Sequence, residues 1–307
     1  MNASATPEPC ALSVVVASVD AARSIDECLR RVRAALNGMD AEVIVVDASR
    51  DGTQDMVVQL GGYDALIRLP AGTLTPELWA AGIARSRGRV VALTTGHCLV
   101  PREWGRALLE RVDTQVVGAA GALELADGTS MVDWAVYYLR YSEFIPFVNR
   151  TDDRVHAIPA DNAAYDGDAI RSYTTATTAG FWEVDFHRSA LGAGKSLAFV
   201  AAATALLGRS FPLMTIAAHR FAHGRHSGSW RVGTGTSSAV RSVLATPLVP
   251  FVLAARTARR VAGLPGHRSR FVASLPVFLL LAASWAIGEA WGAVAGPGVR
   301  TLRPLEA

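Results

Sequence analysis

VIVVDASRDGT, residues 43 to 53, decides how the rest of the chain is read. Its first half is a β-branched run suited to a buried strand. It ends on Asp47, whose carboxylate can accept hydrogen bonds from a base or a ribose. Its second half, Asp51-Gly52-Thr53, makes a tight turn and caps the helix that follows. Taken alone the triplet is a common turn that needs no ligand, and that structural reading stays open. Its place after the second strand of an alternating strand and helix pattern favours the functional one.

Working outward, LSVVVAS (12 to 18) reads as a first buried strand. Ser24 and Glu27 have the spacing of a capping box, and Ile25, Cys28, Leu29, Val32 and Leu36 mark one face of a helix over about 25 to 37. EVIVVD (42 to 47) is the second strand, a helix begins near Thr53, and ALIRL (65 to 69) is a shorter third strand. Thr75 and Pro76 suit the N-cap and first position of a helix reaching about Arg87, ahead of strand RVVALT (89 to 94). This alternation predicts an α/β fold with an open, twisted, Rossmann-like sheet whose ligands bind at the carboxyl ends of the strands. Four loops are thereby nominated: 19 to 23, 47 to 53, 70 to 75 and 95 to 98. Beyond Pro101 come a helix, a strand (115 to 123), an aromatic helix with Trp134, Tyr137, Tyr138 and Tyr141, the stretch AIPADNAAYDGDAI (157 to 170), and a helix from near Trp182.

Half of the 307 residues are hydrophobic, enough for one large domain or a domain with an appendage, and intrinsic disorder is excluded. The net charge is only +3, but from Arg241 onward eight arginines face just Glu289 and Glu306. That end favours membrane lipids with anionic headgroups, and no nucleic-acid partner is expected. Cys10, Cys28 and Cys98 are odd in number and lack CxxC spacing, so neither a disulfide framework nor a zinc knuckle is indicated and a reducing cytosol is the simplest setting. No Lys or Arg precedes the first apolar run, so residues 1 to 10 read as a disordered lead rather than a secretory signal.

SVVVASVDAARSIDECLRRV, EVIVVDASRDGT, and AGIARSRGRVVAL with PREWGRALLERV resemble, in order and spacing, the family-two glycosyltransferases of the GT-A fold. Those enzymes typically open on SVVIPTYN, continue with VVDDGSTDGT, and then carry an ARNxGxxxAxGxxxxFLDxDD segment before a proline and an aromatic helix. Roughly residues 12 to 231 thread on that pattern. The resemblance implies a nucleotide-sugar donor with Asp47 and Asp20 near its base and ribose, Asp51 in the same loop, and inversion at the sugar carbon by direct displacement with an acceptor hydroxyl.

Where the family has its DxD motif, whose carboxylates hold a divalent ion such as Mg²⁺ or Mn²⁺ on the diphosphate, this chain reads Thr95-Gly96-His97. His97 is a weak candidate for a softer metal ion, or a donor to phosphate. HRFAHGRHSGSWR (219 to 231) offers a substitute: Arg220, Arg225 and Arg231, with His219, His223 and His226 among glycines, suit a diphosphate, and a basic, Trp-containing segment closes over the donor in the family. A solvated basic linker is the alternative. His219 and His223 have the spacing of two zinc ligands but no third is evident.

WEVDFHR (182 to 188) lines up with the family's EDxDL motif, which makes Glu183 the candidate base for the acceptor hydroxyl. Burial beside Trp182 would raise its pKa toward the useful range. His187, one turn on, is placed to bond Glu183 or the acceptor, and Asp185 matches the motif's second Asp. An acid favoured by the helix dipole is the bland reading of this helix start. Asp161-Asn162 in ADNAAY resembles the GxNxAF segment, whose polar residues line the sugar and acceptor region; a buried Asn satisfying a loop is its alternative.

Residues 242 to 255 and 271 to 288 are almost purely apolar, which separates a C-terminal hydrophobic helical hairpin and tail (233 to 307) from a GT-A domain over 11 to 232. The first stretch is short for a bilayer crossing and carries Pro247 and Pro250. Two crossings would also leave the arginines between them on the far side from a cytosolic domain, against the positive-inside tendency. A monotopic hairpin at the cytoplasmic face is the favoured arrangement, with a single span at 271 to 288 or an ordinary buried helix pair as alternatives. A site at the membrane surface suits a lipid-linked or hydrophobic acceptor. A degenerate transferase-like protein that binds a ligand or scaffolds a membrane glycan pathway is the competing reading.

Overall fold

β-branched runs that are apolar on both faces belong in the middle of a covered sheet, and that is where they lie. In the computed structural model, which describes residues 9–126, 130–146, 155–176, 180–208 and 212–296, β1 (Leu12–Ser18) is buried from end to end. It pairs in parallel with β2 (Ala41–Asp47) on one side and β4 (Val90–Thr95) on the other. The expected helices and third strand stand between them in the chain: α1 (Ile25–Ala35), α2 (Thr53–Leu60), β3 (Ala65–Arg68) and α3 (Thr75–Arg85).

After β4 come β5 (Cys98–Leu99), α4 (Trp104–Arg111), β6 (Val116–Ala120), β7 (Leu123–Leu125), α5 (Met131–Tyr141), β8 (Asn162–Asp166), α6 (Gly167–Ala176), α7 (Glu183–Gly192), β9 (Ser196–Phe199) and β10 (Ala205–Leu207). The main sheet has seven strands in the order β3-β2-β1-β4-β8-β6-β9, and β5, β10 and β7 form a small second sheet. β8 runs antiparallel to both β4 and β6, so the sheet is mixed rather than wholly parallel. The single strand expected over 115 to 123 is therefore two, β6 and β7, placed in different sheets. Trp79 and Leu78 of α3 pack into the core with Val15, Ile44 and Leu93 of the sheet. Each such side chain contributes about 1.5–3 kcal/mol by leaving water.

Two helix starts differ from the pattern. Ser24 stands at the N-cap of α1 but makes no capping bond there. Its hydroxyl instead donates to the carbonyl of Gly96 at 2.8 Å, and Glu27 is held by Arg31 at 2.6 Å. α3 is capped one residue early, at Leu74, whose N–H donates to Glu77 at 2.7 Å, and Thr75 and Pro76 fall in its first turn. At the amino ends of the strands, Glu42 is 3% exposed. It accepts from Ser13 Oγ at 2.6 Å and from the Arg87 guanidinium at 2.9 and 3.0 Å.

The chain divides into two compact units: an α/β unit from residues 1–124 and 149–208, and a helical unit from 125–148 and 209–301. The helical unit thus takes in α5 and begins at 209, ahead of the boundary drawn after 232 from hydropathy. It contains α5, α8 (Leu213–Gly233), α9 (Ala239–Ala245), α10 (Val249–Val261) and α11 (His267–Ala295). The two apolar stretches become α9 with α10, bent by 66° at their junction, and α11, which at 29 residues is long and apolar enough for a membrane span or a core helix. Of the lead expected over residues 1 to 10, only Pro9 and Cys10 are among the described residues, and of the tail only residues up to Gly296.

The segment 219 to 231 is not a flexible glycine-rich loop. It is the body of α8, and its glycines face α11: a Cβ on Gly224 would lie 2.1 Å from the Trp285 carbonyl oxygen, and one on Gly228 1.9 Å from that of Glu289. Gly288 and Gly292 of α11 answer in kind, at 2.1 Å from the Phe221 oxygen and 1.8 Å from the Arg225 oxygen. Small residues four apart on both helices let the backbones touch, as in membrane helix pairs.

Candidate functional site

Strands β1, β2 and β4 end on the same edge of the sheet, and the loops that follow are tied together. Asp20 adopts a left-handed conformation, φ +47°, which strains a residue with a Cβ. Its N–H donates to Ser49 Oγ at 2.8 Å and its carboxylate accepts from the Arg50 N–H at 2.8 Å. Asp51 accepts from the Ala22 N–H at 3.1 Å and from the Thr53 hydroxyl, while Thr53 Oγ1 in turn accepts from the Ala21 N–H at 2.9 Å. Burial alone would raise the Asp51 carboxyl, but these donors outweigh it and hold the group below its usual range. Asp47, fully buried at the end of β2, accepts from the Ser49 N–H at 3.0 Å and hydroxyl at 2.6 Å. Asp20, Asp47 and Asp51 are thus brought together as one preorganised corner, and the turn reading and the binding reading of the triplet are compatible.

The end of β4 joins this corner through Ser24, whose hydroxyl lies 3.2 Å from His97 Nδ1. Gly96 is packed so closely that an added Cβ would stand 2.9 Å from the Ala21 Cβ and 3.3 Å from Ser18 Oγ. Among the described residues no group of three or more His, Cys, Asp and Glu side chains is placed to hold a metal ion. A hard divalent ion needs several oxygen ligands, and Thr95, Gly96 and a buried His97 committed to Ser24 do not supply them. The donor set of residues 95–97 does not fit such an ion.

Glu183 opens α7, and the start of that helix is fastened to the first turn of α3. The Phe181 N–H donates to the Pro76 carbonyl at 2.8 Å, and Gly180, φ +98°, lets the two backbones approach: a Cβ there would meet the Pro76 carbonyl carbon at 3.0 Å. This staple ties the start of α7 to the start of α3. His187 does not bond Glu183. It is 2% exposed, stacks on Tyr165 of β8 and shares a 3.1 Å hydrogen bond with its hydroxyl through Nε2, while Nδ1 has no partner. Burial pushes its pKa down to about 3, so the ring is neutral.

Tyr165 was not singled out in the sequence, although it is the tyrosine of ADNAAY where the family pattern has phenylalanine. Its phenol is pushed well up by burial first, and then by the charges of Glu183 and Asp161. Asp185 turns the other way: it pairs with Arg188 at 3.2 Å, and burial raises its pKa against that partner. Asn162 is engaged entirely within the protein, accepting from Trp104 Nε1 at 2.7 Å and donating to the carbonyls of Ala122 at 2.9 Å and Ala203 at 2.8 Å. Its amide ties the start of β8 to α4 and to the segments at Ala122 and Ala203, while its backbone stands opposite Thr94 in the ladder with β4.

Arg220, Arg225 and Arg231 belong to α8 of the helical unit. Arg225 donates to the Gly296 carbonyl at 3.0 Å and Arg231 to Glu289 at 2.5 Å, so both tie α8 to α11.

A mixed sheet with this strand order, and acidic loops at the carboxyl ends of its parallel half, defines the α/β unit as a GT-A-type transferase fold. The sequence profile of glycosyl transferase family 2 matches residues 13–173, more than half of the chain, and the chain belongs to that family. No curated protein matches the sequence. Among solved structures it is similar to glucosyl-3-phosphoglycerate synthase from Mycobacterium tuberculosis in complex with Mn²⁺, UDP and glucosyl-3-phosphoglycerate: 15% identity, 68% of this chain and 75% of that one, TM-score 0.48. It is also similar to S. aureus TarS in complex with UDP-GlcNAc, at 12% identity over 88% of this chain and 71% of that one, TM-score 0.48.

Proposed function

We propose that the protein transfers a sugar from a nucleoside-diphosphate sugar to a hydroxyl of a lipid-linked or otherwise hydrophobic acceptor, with inversion at the sugar carbon. The observation that supports this reading is the Phe181–Pro76 hydrogen bond, which fastens the start of α7, where Glu183 stands, to the start of α3, while the Asp20, Asp47 and Asp51 loops are tied together beyond β1 and β2. Asp47 and Asp20 hold the base and ribose through the acceptor capacity their loop bonds leave free. Glu183 takes the proton of the acceptor hydroxyl as its oxygen bonds to the anomeric carbon, and the bond from that carbon to the diphosphate breaks with the electron pair leaving on the nucleotide. Tyr165 and His187, neutral and buried behind Glu183, give that side of the site a firm floor.

The acceptor class rests on the helical unit. Leu248 and Phe251 are each 64% exposed where α9 meets α10, and Arg256 and Arg259 follow on α10. An exposed apolar elbow with arginines at its margin suits an in-plane seat on an anionic membrane, at the cytoplasmic face where nucleotide sugars are found.

The test is incubation of the protein in membranes with labelled nucleotide sugars and extracted lipids. Glu183→Gln is expected to lower transfer by about 10²–10⁴-fold while donor binding persists, as loss of a general base does. Unchanged transfer removes Glu183 from the role. Full wild-type activity in EDTA is expected, whereas loss restored by Mn²⁺ would overturn the metal-free route.

A further inference from the structure

The carboxyl edge of the sheet carries two cations that the transfer chemistry has not used. Arg50 follows Ser49 in the loop after β2, where the family pattern VVDDGSTDGT has threonine, so the pattern offers no role for its side chain. Its backbone is fixed: its N–H donates to the Asp20 carboxylate at 2.8 Å, and the Asp20 N–H donates in turn to Ser49 Oγ at 2.8 Å. From that anchor the guanidinium crosses to the loop after β3, where Nη2 lies 4.0 Å from the point that a Cβ on Gly72 would occupy. Gly72 has φ +90°, a conformation open to glycine.

Arg68 is the second cation. It is the last residue of β3 and pairs with Asp47 in the parallel ladder. Ile44, Val46, Ile67 and Leu69 pack into the core on one face of the sheet, so by the alternation of a strand Asp47 and Arg68 share the other. Both arginines are exposed, and neither guanidinium makes a hydrogen bond or an ion pair with a described residue. Three carboxylates stand in the same corner, yet Asp20, Asp47 and Asp51 are bonded by N–H and hydroxyl donors of their own loops. The arginines therefore keep all their donors for solvent or a ligand.

Their place in the sheet narrows the ligand atom they would meet. The order β3-β2-β1-β4 puts β3 three strand spacings, about 14 Å, from β4 and the segment 95–97 that follows it. With the diphosphate of a nucleotide by residues 95–97, where the family pattern has its DxD carboxylates, the base points toward β3. A guanidinium donates and never accepts. It favours a base edge with a carbonyl, as in uracil and guanine, over the amino group that cytosine and adenine carry at the corresponding position. We propose that Arg50, with Arg68 beside it, contacts the base of the donor nucleotide and selects uracil or guanine over their amino counterparts. This rests on the donor-binding reading of the corner, and not on Glu183.

The test titrates the full chain in detergent with UDP, CDP, GDP and ADP, for the wild type and the Arg50→Ala, Arg50→Gln and Arg68→Ala variants. The wild type is expected to bind UDP about tenfold or more tightly than CDP, or GDP than ADP by the same margin. Arg50→Ala should weaken the preferred nucleotide by about tenfold or more and its amino counterpart by less than about threefold, and Arg68→Ala should act in the same direction. Arg50→Gln, whose amide accepts as well as donates, should narrow the preference. Without ligand all three variants should melt as the wild type does, because neither guanidinium holds a described residue. A wild type that prefers CDP or ADP, or an Arg50→Ala variant that loses no affinity for the preferred nucleotide, overturns the inference and leaves the donor reading standing. A folded wild type that binds none of the four overturns both.

Discussion

His187 couples its charge state to the fold, because its ring is enclosed, one nitrogen is bonded to Tyr165 and the other has no partner. In the unfolded chain it takes a proton near pH 6.5, and in the folded protein only near pH 3. Its contribution to stability is therefore whole above pH 6.5 and is lost progressively as the pH falls toward 3. Denaturant unfolding of wild type and His187→Phe between pH 4 and 7 should show a flatter pH dependence in the variant; equal slopes would remove His187 as the cause. Single residues were unevenly legible. Asp47 could be placed from its strand alone, whereas the use of Asn162 could not, because its partners Trp104, Ala122 and Ala203 come from three distant parts of the chain. Tyr165 was visible as a departure from the family pattern, but its meaning depended on His187, 22 residues away.

At the scale of elements, the Glu42 cluster binds the amino ends of β1 and β2 to the turn before β4. Burial alone would raise the Glu42 carboxyl; the bonds from Ser13 and Arg87 override it and leave the pKa below its ordinary 4.5. This contribution is complete above pH 4.5 and lost as the pH falls through the lowered value. Glu42→Gln is expected to melt several degrees lower at pH 7, and the gap should close in acid. A gap that persists at pH 3 would mean that packing, not charge, is responsible. The seam between α8 and α11 is the second case. Gly292→Val places a methyl-bearing carbon against the Arg225 carbonyl oxygen and should cost about 1–3 kcal/mol in a melt of the helical unit; a neutral effect would mean that the helices are not in contact there. The strands were readable because buried β-branched runs have few alternatives. α8 was not, because its glycines read as a helix face only once α11 brings matching glycines, and those lie on a separate helix well further along the chain.

For the whole molecule, the apolar elbow of α9 and α10 is the surface that sets location in the proposed function. Leu248→Asp with Phe251→Asp should shift the protein from sedimenting with phosphatidylglycerol vesicles to remaining in solution, leaving its melting behaviour nearly unchanged because both side chains are exposed. Retained co-sedimentation would move the role to α11, the one helix among the described residues long and apolar enough to cross a bilayer. The existence of an apolar C-terminal part was legible from composition, but its recruitment of α5 was not, since an aromatic helix at 131 to 141 has no local sign of a partner beyond residue 260. That recruitment sets a schedule for synthesis. Tyr138 finds its bond to His267 only across 129 residues. A ribosome adding about 5–20 residues per second leaves the aromatic face of α5 waiting for roughly 6–26 s. During that interval the nascent chain offers a sticky surface that a chaperone must cover, or that the membrane must receive.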